Sequence, residues 1–259
     1  MTSEPALGPQ IGGGHQSDVF EYGKDVCKLY GSHISEPQSK RMADREAAAL
    51  RIVEAFEDVS APRLLGVRQI GKRWGMIMSR IEGRTFAGTL HDPEYMREMA
   101  RLHVAIHRHQ ALALPTLKVW LSEEIQKART KLGAALPLQR LLDRLNEMPD
   151  SDRLCHGDFQ PSNVMGTPGA ASVIDWTHAS LGDPALDVCQ SWLLMGRSDE
   201  AVASAYVDTY AKESGRDSGD ILRWRSIVAA ARLADNVPGE VNRLIAIVVD
   251  GLRDPDSWS

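Results

Sequence analysis

Cysteines and long apolar runs are both scarce in this chain of 259 residues. The three cysteines, Cys27, Cys155 and Cys189, are odd in number and widely spaced, which favours reduced buried thiols over a disulfide framework or a zinc site. The longest late apolar run, LIAIVV, is far shorter than the roughly 20 residues that cross a bilayer. We therefore expect neither a disulfide-stapled scaffold nor a membrane-spanning protein.

A surplus of positive charge is also missing. The formal net charge is −5, which argues against a general nucleic-acid or anionic-membrane binder. The first ten residues, MTSEPALGPQ, have neither a basic run nor an apolar segment, so we expect a cytoplasmic protein. The sequence shows no internal repeat and no low-complexity tract, and we expect a monomer or a weak dimer.

Apolar residues, in contrast, make up 43% of the chain, which is enough for a sizeable core. The sequence pattern changes near residue 83. Before it, the β-like runs DVFEYG, DVCKLYG, RLLGVRQI and RWGMIMSRI are separated by Gly-containing turns, with one helical segment at residues 36–57. This pattern predicts a small β-rich lobe, residues 1–82, followed by a larger lobe, residues 83–259.

The larger lobe is predicted to be mainly helical, which makes the fold class α+β. Asp183 precedes Pro184 and fits the N-cap of a helix. One stretch, NVMGTPGAASVIDW, has the pattern of strand, turn and strand, so a hairpin is expected to interrupt the helices. The predicted helices span residues 92–111, 119–132, 137–147, 184–195, 198–214, 220–234 and 238–252.

The stretch LCHGDFQPSNVM, just before that hairpin, carries the strongest chemical signal. Asp158 and Asn163 are five residues apart, and Asp175 follows twelve residues later at the end of the second hairpin strand. A carboxylate and an amide carbonyl are hard oxygen ligands of the kind that Mg²⁺ accepts beside substrate phosphates. The remaining carboxylate could orient or deprotonate an attacking hydroxyl. This spacing matches the phosphoryl-transfer pattern of a catalytic aspartate, a metal-binding asparagine and a metal-binding aspartate.

The motifs HGDFQPSN, VIDW and LGDPALDV resemble the aminoglycoside phosphotransferase family, which is similar to choline and homoserine kinases and shares its fold with protein kinases. The resemblance implies a bilobal protein-kinase-like fold that uses ATP and Mg²⁺. It also implies that Asp158 is the catalytic residue and that Asn163 and Asp175 bind the metal. Asp187 matches a family aspartate that steadies the catalytic loop.

The same resemblance implies that the first lobe contains a nucleotide-binding loop and a lysine. The stretch IGGGHQSDVF provides Gly12, Gly14 and Val19 in the spacing of a nucleotide-binding glycine loop, with Ser17 in place of the third glycine. Taken alone, a glycine run is more often a simple turn. Lys28 follows Val19 by nine residues on a predicted strand, where it would hold the α- and β-phosphates, although a lone strand lysine is usually a solvated edge residue.

Two further parts of a nucleotide site are expected in this lobe. Glu46, on the predicted helix, is the best placed partner for Lys28, although it could equally be a solvent-facing charge. The stretch MIMSRIEG resembles the family's hinge, in which main-chain groups of Ser79 and Ile81 would pair with adenine.

Some tempting signals have a simpler interpretation. GVRQIGKR, residues 66–73, comes one residue short of a Walker A motif, because Arg73 stands where Ser or Thr must reach Mg²⁺; we interpret it as a hairpin turn. His156 is expected to brace its loop by hydrogen bonds. His103 and His107, followed by His109, have the spacing of a metal-binding pair, but the motif contains no acidic partner, and His103 is expected to pack inside.

The sequence therefore predicts a phosphotransferase that moves the γ-phosphoryl group of MgATP to a hydroxyl of a small molecule. A metallophosphoesterase would need further histidine motifs, and a non-catalytic pseudokinase is the more serious alternative. Residues 91–259 contain 18 Lys and Arg against 24 Asp and Glu. This acidity would suit a cationic acceptor such as an aminoglycoside or an amino alcohol, but an antibiotic-resistance enzyme and a metabolic kinase both remain open.

Overall fold

The computed structural model describes residues 6–14, 16–31, 33–132 and 138–253. These residues form two compact units. The sheet unit comprises the chain up to Phe86 together with Ser162–His178, and the helical unit comprises Ala87–Pro161 together with the chain from Ala179. The sheet unit therefore includes a segment that lies well after the boundary predicted at residue 82.

Strands and helices occur in the following order within the described residues. The strands are β1 (Gln10–Gly13), β2 (Ser17–Tyr22), β3 (Asp25–Tyr30), β4 (Leu64–Ile70), β5 (Arg73–Met78), β6 (Arg153–Cys155), β7 (Val164–Thr167), β8 (Ala170–Val173) and β9 (Ser180–Gly182). The helices are α1 (Glu36–Val53), α2 (Pro93–His107), α3 (Leu117–Lys127), α4 (Arg129–Leu132), α5 (Leu138–Glu147), α6 (Pro184–Met195), α7 (Glu200–Ser214), α8 (Ser218–Leu222), α9 (Arg225–Arg232) and α10 (Val241–Arg253).

The sheet unit is built on a five-stranded antiparallel sheet with the order β1-β2-β3-β5-β4. Strand β3 lies at its centre, and side chains alternate between its two faces. Cys27 and Leu29 pack with Ile77 in a buried apolar cluster. Lys28 and Tyr30 share the opposite face. Because both faces of β3 are covered, even its lysine, Lys28, is buried.

The hairpin formed by β7 and β8 belongs to the sheet unit because its backbone bonds to that unit's loops. The N–H of Val173 donates to the carbonyl of Ser60 at 2.8 Å, and the hydroxyls of Ser60 and Ser172 lie 2.7 Å apart. The N–H of Phe86 donates to the carbonyl of Val164 at 2.9 Å. These bonds attach the segment that carries both predicted metal ligands to the sheet.

The helical unit contains the remaining helices and the two-stranded sheet of β6 and β9. Helix α2 packs against α7, and α6 packs against both α7 and α9. The side chain of Asp183 accepts a hydrogen bond from the N–H of Ala185 at 2.8 Å, which confirms the predicted N-cap of α6. None of the helices within the described ranges has the length and apolar character needed to span a membrane.

Several local predictions differ from the structure. The helix predicted at 119–132 is divided into α3 and α4, and the helix predicted at 220–234 is divided into α8 and α9. Strands β6 and β9 were missed because three residues are too few for a periodic pattern. The turn between β4 and β5 is confirmed as a hairpin, in which Ile70 pairs with Arg73 and Gly71 has a positive φ of 60°.

Gly75 on β5 offers a test of the sheet packing. A Cβ atom at this position would lie 2.1 Å from the carbonyl oxygen of Lys28. Gly75→Ala must therefore displace the backbone of β3, and we expect it to lower the free energy of unfolding by more than about 2 kcal/mol. Urea denaturation of the purified chain measures this change. Gly14→Ala is the matched control, since a Cβ there meets nothing within 4 Å, and a loss of stability equal to that of Gly75→Ala would contradict the prediction.

Candidate active site

Lys28 and Glu46 form a buried ion pair in the sheet unit. The Lys28 Nζ atom lies 3.0 Å from Oε1 and 2.8 Å from Oε2 of Glu46. Lys28 is 4% exposed and Glu46 is 1% exposed, so neither is the solvated surface charge that each could have been from the sequence alone. Lys28 lies on strand β3 and Glu46 lies on helix α1, 18 residues later in the sequence. The ion pair therefore connects the strand to the helix.

A second carboxylate meets the same lysine from a distant part of the chain. The Oδ1 atom of Asp175 lies 2.7 Å from the Lys28 Nζ atom, 147 residues apart in sequence. Thr177, two residues after Asp175, lies 3.2 Å from the same nitrogen through its hydroxyl. The ammonium group therefore has three oxygen-bearing partners from two segments, and Lys28 is positioned within the sheet unit rather than at its surface.

In this cluster one ammonium group contacts two carboxyl groups. Burial by itself would lower the pKa of Lys28, but the carboxylates of Glu46 and Asp175 outweigh this penalty and raise the pKa above its ordinary value. Lys28 is thus cationic at neutral pH.

The turn that follows β8 presents Asp175 in an unusual backbone conformation. Its φ angle is 61°, in the left-handed region that few non-glycine residues adopt. The next residue, Trp176, holds the turn in place, because its N–H donates to Oε1 of Glu46 at 3.1 Å and its indole N–H donates to the carbonyl of Val173 at 3.0 Å. Trp176 therefore connects the turn both to Glu46 on α1 and to Val173 at the end of β8.

Asn163 lies close to Asp175 through the pairing of β7 with β8. The carbonyl of Asn163 accepts a hydrogen bond from the N–H of Ile174, the residue before Asp175, at 2.9 Å. Asn163 is buried, whereas Asp175 is half-buried. One amide oxygen and one carboxylate make an oxygen donor set that fits Mg²⁺ and does not fit soft metals.

The predicted glycine loop connects β1 and β2. Gly12 pairs with Val19 across these strands, and the N–H of Gly14 donates to the carbonyl of Ser17 at 2.8 Å. Val19 is in turn the cross-strand partner of Lys28. The nine-residue spacing between Val19 and Lys28 thus corresponds to a hairpin that brings the loop and the lysine to one part of the sheet.

The predicted hinge follows directly after β5. The N–H of Ser79 donates to the carbonyl of Arg63 at 2.9 Å, and the Ser79 hydroxyl accepts from the N–H of Arg63 at 2.8 Å. Because its N–H is engaged with Arg63, Ser79 can offer a base only its carbonyl. Ile81 is half-buried and follows in irregular chain.

In the helical unit, the loop that carries Asp158 is anchored by Asp187. The side chain of Asp187 accepts hydrogen bonds from the N–H of His156 at 2.6 Å and from the N–H of Gly157 at 2.9 Å. Asp187 is fully buried at the start of α6. Its carboxylate therefore fixes the two residues that precede Asp158.

The residue after Asp158 is anchored as well. Phe159 is fully buried, and its ring stacks on that of His103 with 4.0 Å between the centroids. The half-buried Asp158 lies between these two anchored neighbours. Gln160 donates to its Oδ1 atom at 2.9 Å, and the N–H of Asp158 donates to Nδ1 of His156 at 3.3 Å, which agrees with the predicted bracing role of His156.

His103 and His107 connect the same anchor to α7. Their Nε2 atoms lie 3.0 Å and 3.2 Å from Oδ2 of Asp187. Their Nδ1 atoms lie 2.6 Å from the hydroxyl of Tyr206 and 2.8 Å from the hydroxyl of Tyr210. His103 is fully buried, as predicted. Two histidines one helical turn apart thus meet two tyrosines one helical turn apart.

The acidic partner that the histidine motif itself lacks comes from elsewhere in the chain. Asp187 is that partner, and the candidate ligand atoms of His103, His107 and Asp187 lie within 4.8 Å of one another. The partner comes from another helix, so the local motif could not reveal it. Each ring nitrogen already has a hydrogen-bonding partner, and the cluster is therefore explained by hydrogen bonding.

Burial and hydrogen bonding set the charge states of this network. Burial lowers the pKa of His103 to about 3, so its imidazole is neutral at pH 7. Burial alone would raise the pKa of Asp187, but the interactions with His103 and His107 hold that pKa well below its ordinary value. A neutral His103 therefore donates its Nε2 proton to an ionised Asp187 and accepts the Tyr206 proton.

Four tyrosine and threonine hydroxyls in these networks were not predicted. Tyr30 follows Lys28 by two residues on β3, a spacing that puts both side chains on one face. Thr177 follows Asp175 by two residues in the turn. The matching intervals of the histidines on α2 and of Tyr206 and Tyr210 on α7 were a further signal, but intervals alone do not say that two helices pack together.

Both units resemble those of kinases that act on small molecules. Residues 8–222 match the phosphotransferase enzyme family, and the chain belongs to that family. It is a small-molecule phosphotransferase with a protein-kinase-like α+β fold. A comparison with curated protein sequences finds no match.

Solved structures with the same fold include both antibiotic kinases and a choline kinase. A thermostable mutant of aminoglycoside phosphotransferase APH(4)-Ia, in complex with ADP and hygromycin B, is 18% identical, with a TM-score of 0.62, and the match covers 99% of this chain and 91% of that one. Choline kinase LicA from Streptococcus pneumoniae is 13% identical, with a TM-score of 0.61 and coverage of 98% and 95%.

A third solved structure with this fold contains a different bound antibiotic. Aminoglycoside phosphotransferase APH(3'')-Id from Streptomyces rimosus, in complex with ADP and streptomycin, is 16% identical, with a TM-score of 0.60 and coverage of 100% and 95%. At such low identities the similarity establishes the fold that these proteins share with the chain.

The buried neutral His103 predicts a loss of stability in acid. In the unfolded chain a histidine has a pKa of about 6.5, whereas the folded pKa is about 3. The unfolded state therefore binds an additional proton below pH 6.5, and the free energy of unfolding should fall by roughly 2 kcal/mol between pH 7 and pH 5 through this residue. Asp187, whose pKa is also depressed, adds to the loss only below about pH 4.

Urea denaturation at pH 7 and pH 5 measures this dependence. His103→Gln removes the titrating group and keeps an amide that can donate to Asp187, so its pH dependence should be smaller than that of the wild type. His33→Gln, at an exposed position, controls for the loss of a histidine as such. An unchanged pH dependence in His103→Gln would contradict the assignment.

Proposed function

We propose that this chain transfers the γ-phosphoryl group of ATP, with Mg²⁺, to a hydroxyl of a small cationic molecule. The observation that carries the proposal is the buried cluster in which Lys28 contacts both Glu46 and Asp175. A structural ion pair needs one carboxylate, whereas phosphoryl transfer needs a fixed lysine for the phosphates and a second carboxylate for the metal.

The sheet unit provides the groups for the nucleotide. Lys28 is a fixed cation for the α- and β-phosphates, and Glu46 holds it in place. Gly12, Gly14 and Ser17 are the loop residues proposed to lie beside the remaining phosphate oxygens, and the open space around Gly14 admits close approach. The chain between Ser79 and Ile81 would pair with adenine. Family membership supports this assignment of the loop, the lysine and the hinge.

Asn163 and Asp175 are the proposed ligands of Mg²⁺. When bound, the ion would neutralise charge that develops on the transferred phosphoryl group. The presence of a second carboxylate beside Lys28 and the oxygen donor set both support this assignment. Asp175 is also the residue whose backbone lies in the left-handed region, and backbone strain of this kind occurs often at functional sites.

Asp158 in the helical unit is the proposed catalytic base. It would orient the acceptor hydroxyl and take its proton as the bond to phosphorus forms. The anchoring of His156, Gly157 and Phe159 supports this role, because the loop is held on both sides of Asp158 while its carboxylate stays half-buried. Positioning and electrostatics would then supply most of the rate enhancement.

The acceptor is proposed to carry positive charge. Residues 91–259 have six more acidic than basic residues, 24 against 18, and an acidic surface attracts cations. Hygromycin B, streptomycin and choline, which are named for proteins of the same fold, are all cationic molecules with hydroxyl groups. Aminoglycosides and amino alcohols are therefore the two acceptor classes to compare first.

An acceptor panel tests this proposal. The purified chain would be incubated with MgATP and, in turn, aminoglycosides, choline, homoserine and neutral sugars, and ADP release would be measured beside a reaction without Mg²⁺. We expect Mg²⁺-dependent turnover with at least one cationic acceptor. Turnover only with neutral sugars would overturn the acceptor class, and a chain that binds ATP without turning over any acceptor would favour the pseudokinase alternative.

The two aspartates should respond differently to removal of charge. Asp158→Asn keeps the side-chain shape and removes the base, so we expect Mg²⁺-dependent ATP binding to persist while turnover falls by roughly 10²–10⁴-fold. Asp175→Asn removes a charged metal ligand and a partner of Lys28, so both turnover and the Mg²⁺ dependence of ATP binding should weaken.

Calorimetric titration of ATP with and without Mg²⁺, beside steady-state rates, measures both variants. Asp152→Asn, at a half-buried position just before β6 and outside the proposed site, is a control for the change itself. If Asp158→Asn lost the metal-dependent binding and Asp175→Asn kept it, the two roles would have to be exchanged.

A further inference from the structure

The hydroxyl of Thr177 lies at the centre of the buried cluster. Its Oγ1 atom is 2.7 Å from Oδ1 of Asp175, 2.9 Å from Oε2 of Glu46, and 3.2 Å from both the Lys28 Nζ atom and the Tyr30 hydroxyl. Thr177 is 5% exposed. A single hydroxyl therefore contacts the proposed phosphate-binding lysine, its glutamate partner and a proposed metal ligand.

A threonine hydroxyl has one proton and can donate it to only one of the two carboxylates. Glu46 already accepts hydrogen bonds from Lys28, from the Tyr30 hydroxyl and from the N–H of Trp176. The distance from Thr177 to Asp175 is also the shorter one. Asp175 is therefore the better acceptor, and the Thr177 oxygen accepts a hydrogen bond from Lys28.

Thr177 shares one oxygen atom of the Asp175 carboxylate with Lys28. The backbone of Asp175 is in the left-handed region, with a φ of 61°, so the direction of the side chain depends on what holds it. Lys28 and Thr177 both contact the same Oδ1 atom at 2.7 Å. Lys28 would turn towards a nucleotide phosphate during the reaction, whereas Thr177 is tied to Asp175 by the short chain between them and remains beside it.

We propose that Thr177 is a positioning residue whose hydroxyl holds the Asp175 carboxylate in its metal-binding orientation when Lys28 engages the nucleotide. The inference rests on the proposed function, since it assigns Thr177 a part in holding a proposed metal ligand. Thr177 does not itself touch the reacting atoms. Its contribution is a hydrogen bond to a charged group, which is stronger than one between neutral groups.

The test compares ADP binding with and without Mg²⁺, measured by calorimetry on the full chain. Thr177→Val keeps the side-chain shape and removes the hydroxyl, so the strengthening of ADP binding by Mg²⁺ should fall roughly tenfold, the effect expected for one hydrogen bond to a charged group. Thr177→Ser restores a hydroxyl and should restore the strengthening. Thr177→Ala removes the same hydroxyl without added bulk and replaces the valine variant if that variant does not fold.

Tyr30→Phe is the matched control. It removes another buried hydroxyl of the cluster, one that contacts Glu46 and Thr177, and it should leave the Mg²⁺ strengthening within about twofold of the wild type, since a hydroxyl that does not contact the carboxylate contributes little to its orientation. Equal losses in Tyr30→Phe and Thr177→Val would overturn the inference, as would wild-type behaviour in Thr177→Val. If Mg²⁺ did not strengthen ADP binding in the wild type, the proposed function itself would fail.

Discussion

The buried contact of Lys28 with Glu46 and Asp175 is the interaction on which the sheet unit depends. Charges removed from water are costly unless every one of them is paired and hydrogen-bonded. Strand β3, helix α1 and the turn after β8 must therefore all be in place for any of these side chains to be buried. This requirement joins segments that are far apart in sequence, since Lys28 and Asp175 are 147 residues apart.

The helical unit holds its own buried carboxylate by hydrogen bonds from backbone and ring N–H groups. Asp187 accepts from two main-chain N–H groups and two imidazoles, and two tyrosines complete the network. Several donors thus share the hydrogen-bonding demand of one buried carboxylate. The same bonds fix the residues before Asp158, while the stacking of Phe159 on His103 fixes the residue after it. The hydrogen bonds that the buried Asp187 carboxylate requires therefore also orient the proposed base, Asp158.

These networks explain why the reaction class is easier to infer than the acceptor. In the proposed function, the charged cluster around Lys28 serves the nucleotide and the metal, and the hydrogen bonds around Asp187 serve the loop of the proposed base; these are common needs of phosphoryl transfer. Proteins with the same fold and 13% to 18% identity act on choline or bind hygromycin B. One fold therefore accommodates different acceptors, and the fold by itself does not identify the acceptor.

The sequence by itself determined the features that depend on short-range spacing. The intervals between Asp158, Asn163 and Asp175 indicated phosphoryl transfer, and alternation along β3 placed Lys28 on a strand. Only the tertiary structure decided which faces meet: that the β7–β8 hairpin joins the sheet unit, that His103 and His107 find Asp187 some 80 residues later, and that Thr177 joins the lysine cluster. The physical reason is that periodicity encodes which side of an element is buried, whereas the partner that covers it is selected by packing across the whole chain.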